Sequence, residues 1–169
     1  QEGGTTLTEA AVARGLRWLS QQQQSDGRWR LDGGTSSDSA ATSLALLPYL
    51  GAGQTHLMGR YKDTVARGLR WLVVNQKQDG DLRAGSRGNT AMYAHGQGAI
   101  VLAEAFLMTG DQELREPAQK ASDFIVQAQY ADGGWRYVPH DEARPHERRS
   151  DTSVVGWQLM ALQSARAAK

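Results

Sequence analysis

Four side chains of this chain have residue types that can move a proton: Asp38, Glu104, Asp151 and His95. We expect Asp38 and Asp151, together with Gln97, at equivalent starts of three apolar helices. Glu104 follows Gln97 by seven residues and so lies on roughly the same helix face. Carboxylates and imidazoles are common general acids and bases in enzymes. These four side chains are therefore the candidate catalytic residues.

Each candidate also has a structural interpretation. A carboxylate in the first turn of a helix favours the helix dipole, which would explain Asp38 and Asp151 without chemistry. Glu104 would be paired with an arginine of a neighbouring helix, because an unpaired buried carboxylate is costly. His95 is expected in the loop before the second apolar helix, where it would contact the helix start. Both interpretations stay open at the level of sequence.

A repeated pattern must position these residues. The three Asp-Gly pairs begin at Asp26, Asp79 and Asp132, so their spacing is 79 − 26 = 53 and 132 − 79 = 53. A fixed period of this kind indicates one supersecondary unit copied in tandem. The sequence predicts one domain over residues 1–169, with copies at about 6–58, 59–112 and 113–169.

Each copy is predicted to be a helical hairpin. In the first copy, Val12, Leu16 and Leu19 recur at the helical period, which is typical of an amphipathic helix. We expect Thr6 to be the N-cap of this helix, with Glu9 completing a capping box. The second, more apolar helices are predicted at roughly 38–50, 97–109 and 151–165. The predicted fold class is all-α, an α/α toroid or half-toroid of three tandem helical hairpins with a period of 53 residues.

The repeat also resembles a known motif. Gly15, Trp18-Leu19, Gln23 and Gly27-Arg28-Trp29 match every position of the QW repeat of squalene-hopene and oxidosqualene cyclases. The second copy has Leu82 in place of the tryptophan, and the third has Ala121 in place of the glycine. The resemblance implies that the motif residues are structural clamps between helices: Gln23, Trp29, Gln76, Gln129 and Trp135.

The resemblance implies a terpene cyclase-like domain with an apolar central cavity for an isoprenoid or similar lipid. If such a domain were an enzyme, it would be an isomerase or lyase that protonates its substrate with an Asp-x-Asp-Asp motif. Only Asp151 of the segment 150–153 could match the end of that motif. Two alternatives stay open. One is a non-catalytic repeat scaffold for protein binding or self-assembly, and the other is a polysaccharide lyase or hydrolase on an α/α toroid. The latter predicts a basic, aromatic cleft, whereas the arginines look scattered along the sequence.

Composition restricts the partners. The net charge of +1 gives no general attraction to nucleic acid, and the absence of cysteine excludes thiolate zinc sites and cysteine nucleophiles. No cofactor or metal is predicted, since the spacing of His140, Asp141, His146 and Glu147 fits no known metal site. Three hairpins with an apolar last helix predict self-association that closes a ring, or further repeats in a longer chain. The sequence indicates no cellular compartment.

Overall fold

The computed structural model describes residues 4–31, 37–143 and 149–168. Over these residues the chain forms α-helices and no β-strand, so the fold is all-α. A short 3-10 turn at Gly88–Thr90 leads into the fourth helix. The six helices are α1 (Thr6–Gln22), α2 (Asp38–Gly51), α3 (Lys62–Val74), α4 (Ala91–Thr109), α5 (Gln112–Gln127) and α6 (Thr152–Ala167).

Local chemistry determines several helix ends. The N-cap of α1 is Thr5, one residue before the predicted Thr6. The Thr8 amide donates to Thr5 Oγ1 at 3.2 Å, and the Thr5 amide donates to Thr8 Oγ1 at 2.8 Å, so threonine takes the role predicted for Glu9. At the end of α4, Gly110 has a φ of +66°. This left-handed conformation favours glycine and terminates the helix.

Helix α4 forms the centre of the molecule and packs against α2, α5 and α6. It is buried on nearly all sides, and its buried residues include His95 and Gln97. The helix begins at Ala91, six residues before the predicted start, so the prediction that His95 lies in a loop is wrong. The glycines of this segment lower its intrinsic helix propensity. Gly96, however, lets the Gln158 amide come close, since a Cβ added at Gly96 would lie only 2.8 Å from Gln158 Nε2. Tertiary packing therefore outweighs local propensity.

Glutamine side chains join consecutive amphipathic helices. Gln23 Nε2 donates to the Thr64 carbonyl in α3 at 2.9 Å and to the carbonyl of its own Asp-Gly turn. Gln76 Nε2 makes the corresponding pair of bonds, with the Pro117 carbonyl in α5 at 2.9 Å. Each of these two glutamines thus links its own turn to the N-terminal part of the next amphipathic helix, α3 or α5.

Two tryptophans connect the loops after α1 and α5 to the backbones of these helices. Trp29 Nε1 donates to the Leu19 carbonyl and Trp135 Nε1 donates to the Ile125 carbonyl, both at 2.7 Å. Both side chains are buried in the core. An indole suits this position, because it buries a large apolar area while its single donor is satisfied.

Apolar side chains are exposed at both ends of the helix array. Trp18 of α1 and Leu44 of α2 are 56% and 42% exposed, and Leu159 and Met160 of α6 are 48% and 55% exposed. None of the described helices combines the length and apolarity needed to cross a membrane.

Candidate functional site

A groove lies where the loop before α4 meets the loop that follows α5. It has a volume of about 290 Å³. Its walls combine a cation, an amide and two phenols, which are groups suited to a polar, anionic ligand. The described lining residues are Gly88, Asn89, Tyr130, Arg136, Tyr137 and Val138.

Arg136 supplies the positive charge of the groove. Its Nη1 donates to the Arg149 carbonyl at 3.0 Å, which orients the guanidinium. The guanidinium carbon lies 5.1 Å from the centroid of the Tyr137 ring, within cation–π range. No carboxylate of the described residues lies within ion-pair distance of Arg136. No described carboxylate therefore competes with an anionic ligand for its charge.

Tyr137 is held by a network at the N-terminus of α6. Its ring stacks on Tyr93 with centroids 6.3 Å apart, and its hydroxyl donates to Asp151 Oδ2 at 3.0 Å. That hydrogen bond to a carboxylate raises the pKa of Tyr137, while the Ser153 hydroxyl and then Tyr137 lower the pKa of Asp151. At neutral pH, Asp151 is therefore ionised and Tyr137 is protonated.

The three candidate carboxylates have separate surroundings. Asp151 is the N-cap of α6 and accepts from the Ser153 amide. Asp38 is the first residue of α2 and forms an ion pair with Arg28 at 3.3 Å. Glu104 accepts a hydrogen bond from Ser164 Oγ at 2.5 Å, so its described partner is a hydroxyl rather than the expected arginine. Only Asp151 contacts a residue that lines the groove.

His95 is fully buried between α5 and the segment that precedes α4. Its Nδ1 accepts from the Leu82 amide at 3.1 Å, so Nε2 carries the proton and donates to the Ala121 carbonyl at 3.0 Å. The ring packs on Phe124 with centroids 4.5 Å apart. Burial lowers the pKa of His95 to about 4, and the hydrogen bond to Ala121 offsets only part of this effect. His95 is therefore a neutral bridge at neutral pH, without access to solvent.

A charged cluster surrounds Arg83, and no sequence motif indicates it. Arg83 forms ion pairs with Asp81 at 2.9 Å and with Glu142 at 2.7 Å, and Lys77 also pairs with Asp81. Burial by itself would raise the pKa of Asp81, but hydrogen bonds from Arg83 and Lys77 lower it to about 2. This carboxylate is consequently ionised although it is 1% exposed.

Three arginines recur at a regular spacing in the sequence. Arg30, Arg83 and Arg136 directly follow the apolar residue after each Asp-Gly turn, and 83 − 30 = 53, as does 136 − 83. The interpretation that the arginines are scattered rather than clustered stays a prediction, because a regular spacing along the chain does not by itself bring these three side chains together. They recur at the period of the turns, and Arg136 lies in the groove.

One comparison with known protein families found a similarity to part of the chain. A family model described as pectic acid lyase matches residues 94–149. Four of the groove residues fall within this range: Tyr130, Arg136, Tyr137 and Val138. Neither the curated proteins nor the solved structures contain a significant match to the chain.

The pectic acid lyase match corrects the assignment to squalene and oxidosqualene cyclases. It also overturns the prediction of a terpenoid cyclase-like domain whose central cavity binds an isoprenoid or other lipid. The physical reason lies in the motif. Four of its side chains bond to helix backbones: Gln23, Trp29, Gln76 and Trp135. These bonds indicate how helices pack and carry no information about the reaction.

The described residues contain no group of three or more side chains that could hold a metal ion. His140 and Asp141 belong to the described chain, whereas His146 and Glu147 lie outside the described residues.

Proposed function

We propose that the protein is a polysaccharide lyase-type domain that binds an acidic polysaccharide of the pectic acid class in the groove around Arg136. The observation that carries this proposal is the pectic acid lyase match, which covers most of the groove lining. The chemistry of the groove supports it, since a cation that pairs with no described carboxylate lies beside an aromatic ring. Pectic acid is a polymer of uronic acids, so each sugar offers one carboxylate and one apolar ring face.

The groove residues suit both features of such a sugar. The Arg136 guanidinium can bind a carboxylate through two parallel hydrogen bonds, the strongest geometry for this pair. The Tyr137 side chain is held by Tyr93, Arg136 and Asp151, so it can contact a sugar without first losing side-chain freedom. Asn89 adds an amide that can donate to and accept from sugar hydroxyls.

A lyase breaks a uronate chain by elimination. A base removes the proton from C5, a C4–C5 double bond forms, and the C4–O4 bond breaks while O4 receives a proton. Charge develops on the carboxylate as C5 loses its proton, and Arg136 would stabilise that charge. The proton for the departing oxygen would come from solvent water, because the Tyr137 hydroxyl donates its only proton to Asp151 and its pKa is raised.

We further propose that the helices form three copies of one hairpin with a period of 53 residues, arranged as a half-toroid. Corresponding contacts support the repeat. The bond from Gln23 to Thr64 and the bond from Gln76 to Pro117 are offset by 53 residues at both ends. The half-toroid shape is tested by a crystal structure, in which the three hairpins would superpose by one common rotation.

The test uses polygalacturonate with two readouts, isothermal titration calorimetry for binding and ultraviolet absorbance of the unsaturated product for elimination. Arg136→Ala is expected to weaken binding by about 10- to 100-fold, the effect of losing a charge-assisted hydrogen-bonded pair. Arg70→Ala is the matched control, since Arg70 is an exposed arginine on α3. If the wild-type protein neither binds nor cleaves polygalacturonate, the proposal is refuted. Binding without product would favour the non-catalytic scaffold.

A further inference from the structure

Arg83 has the geometry of a prearranged carboxylate receptor. Its Nε donates to Asp81 Oδ1 at 2.9 Å, and its backbone amide donates to the same oxygen at 2.8 Å. The guanidinium carbon lies 5.5 Å from the centroid of the Phe124 ring. A buried carboxylate and an aromatic face therefore set the plane of the guanidinium and leave its outer edge to a further anion.

Glu142 occupies that outer edge. Its two carboxylate oxygens accept from Arg83 Nη1 at 2.9 Å and from Nη2 at 2.7 Å, a bidentate pair. The two partners differ in burial, since the Arg83 side chain is 11% exposed and the Glu142 side chain is 48% exposed. The Arg83 guanidinium is thus held rigidly, whereas the Glu142 side chain that pairs with it is half-exposed and lies on a loop.

We propose that Arg83 is a second uronate-binding position, occupied in this structure by the Glu142 carboxylate in place of a ligand carboxylate. The proposal rests on the proposed function, because it assigns the same acidic polysaccharide to a further arginine. Both anions are planar carboxylates that bind the same guanidinium edge, so one can replace the other without a change in charge or geometry.

The charges of the cluster favour such an exchange. Lys77 and Arg83 are balanced by Asp81 and Glu142, so the four side chains together are neutral. Withdrawal of Glu142 leaves one net positive charge at the outer edge of Arg83. A ligand carboxylate restores neutrality there, whereas a neutral sugar does not.

The position of the cluster connects it to the groove. Arg83 lies six residues before Asn89, which lines the groove, and Glu142 lies four residues after Val138, which also lines it. Arg83 also corresponds to Arg136 in the arginine spacing of 53 residues. The two arginines would therefore bind carboxylates of one polymer. Arg136 would bind its carboxylate directly, whereas Arg83 would bind only after Glu142 withdraws.

The test replaces the occupant and keeps the receptor. Glu142→Gln removes the charge of a half-exposed side chain, and Glu116→Gln is the control, because Glu116 pairs with Lys120 on the exposed face of α5. The probe is a purified galacturonate trimer, with a neutral glucose trimer for comparison. Calorimetry gives the affinity, and NMR of arginine Nε–H groups shows which guanidinium responds.

Glu142→Gln is expected to bind the galacturonate trimer about 3- to 5-fold more tightly, since a half-exposed ion pair is weak, and the Arg83 Nε–H resonance is expected to shift. Equal or weaker binding, with a response of Arg136 alone, overturns this inference and leaves the proposed function intact. If neither arginine responds in either protein, both proposals fail. If the Arg83 resonance shifts and the Arg136 resonance does not, the second uronate-binding position is supported and the proposal that the groove binds the polysaccharide is overturned.

Discussion

Replacing His95 by glutamine tests whether this histidine is a buried neutral bridge. Glutamine cannot titrate, and it does not reproduce the acceptor that Nδ1 offers to the Leu82 amide. A buried amide without a partner costs about 1–3 kcal/mol. With the lost packing on Phe124, we expect His95→Gln to lower the free energy of unfolding by ~2–4 kcal/mol at neutral pH.

The pH dependence of stability gives the sharper measurement. Burial lowers the folded-state pKa of His95 from 6.5 to about 4, so the unfolded chain binds this proton first as the pH falls. The free energy of unfolding therefore decreases from about pH 6.5 down to pH 4 and is unaffected by this group above 6.5. The full loss is ~3 kcal/mol, with a slope of ~1.4 kcal/mol per pH unit where only the unfolded chain is protonated.

Urea unfolding followed by far-ultraviolet circular dichroism, at several pH values between 4.5 and 7.5, measures both effects. The wild-type curve should be steeper than the His95→Gln curve by the contribution of one proton below pH 6.5. His140→Gln is the matched control, because it makes the same substitution at an exposed position. Parallel curves for wild type and His95→Gln would refute the assignment of a buried neutral imidazole.

Three further predictions concern the turns, the clamps and the ends of the molecule. Gly80→Ala should destabilise more than Gly133→Ala in urea unfolding: both have positive φ, but only at Gly80 would a Cβ lie 2.1 Å from the Lys120 carbonyl oxygen. Equal losses would mean that the turn is not pressed against α5. Gln76→Ala should cost ~1–2 kcal/mol and Gln129→Ala less, because Gln76 also bonds to α5 whereas the described bond of Gln129 stays within its own turn. Sedimentation velocity at rising concentration should show self-association through the exposed apolar ends, and a stable monomer at high concentration would contradict the predicted ring closure.

The sequence predicted the all-α fold class from local signals. Helical periodicity placed α1 and α2 to within a few residues, because an amphipathic or apolar helix shows its burial in its own spacing. The start of α4 was missed because it depends on distant contacts. The Met92 amide donates to the Tyr137 carbonyl, and Gly96 is in close contact with Gln158. No local pattern contains such contacts.

The candidate site depended more on tertiary structure. The sequence showed that Asp151 would begin a helix, but only the structure placed Tyr137 against its carboxylate. The motif suggested the wrong family, because its residues serve helix packing, which different enzymes can share.

The charges of individual side chains were likewise decided by folding. His95 has an ordinary sequence context, yet its pKa is lowered because α5 and the segment before α4 bury it. Arg83 and Glu142 are 59 residues apart in the chain and pair only when two loops meet. The sequence by itself determined which segments are helical and which turns repeat. The tertiary structure determined which charges are buried, paired or available, because burial and pairing depend on neighbours that are remote in sequence.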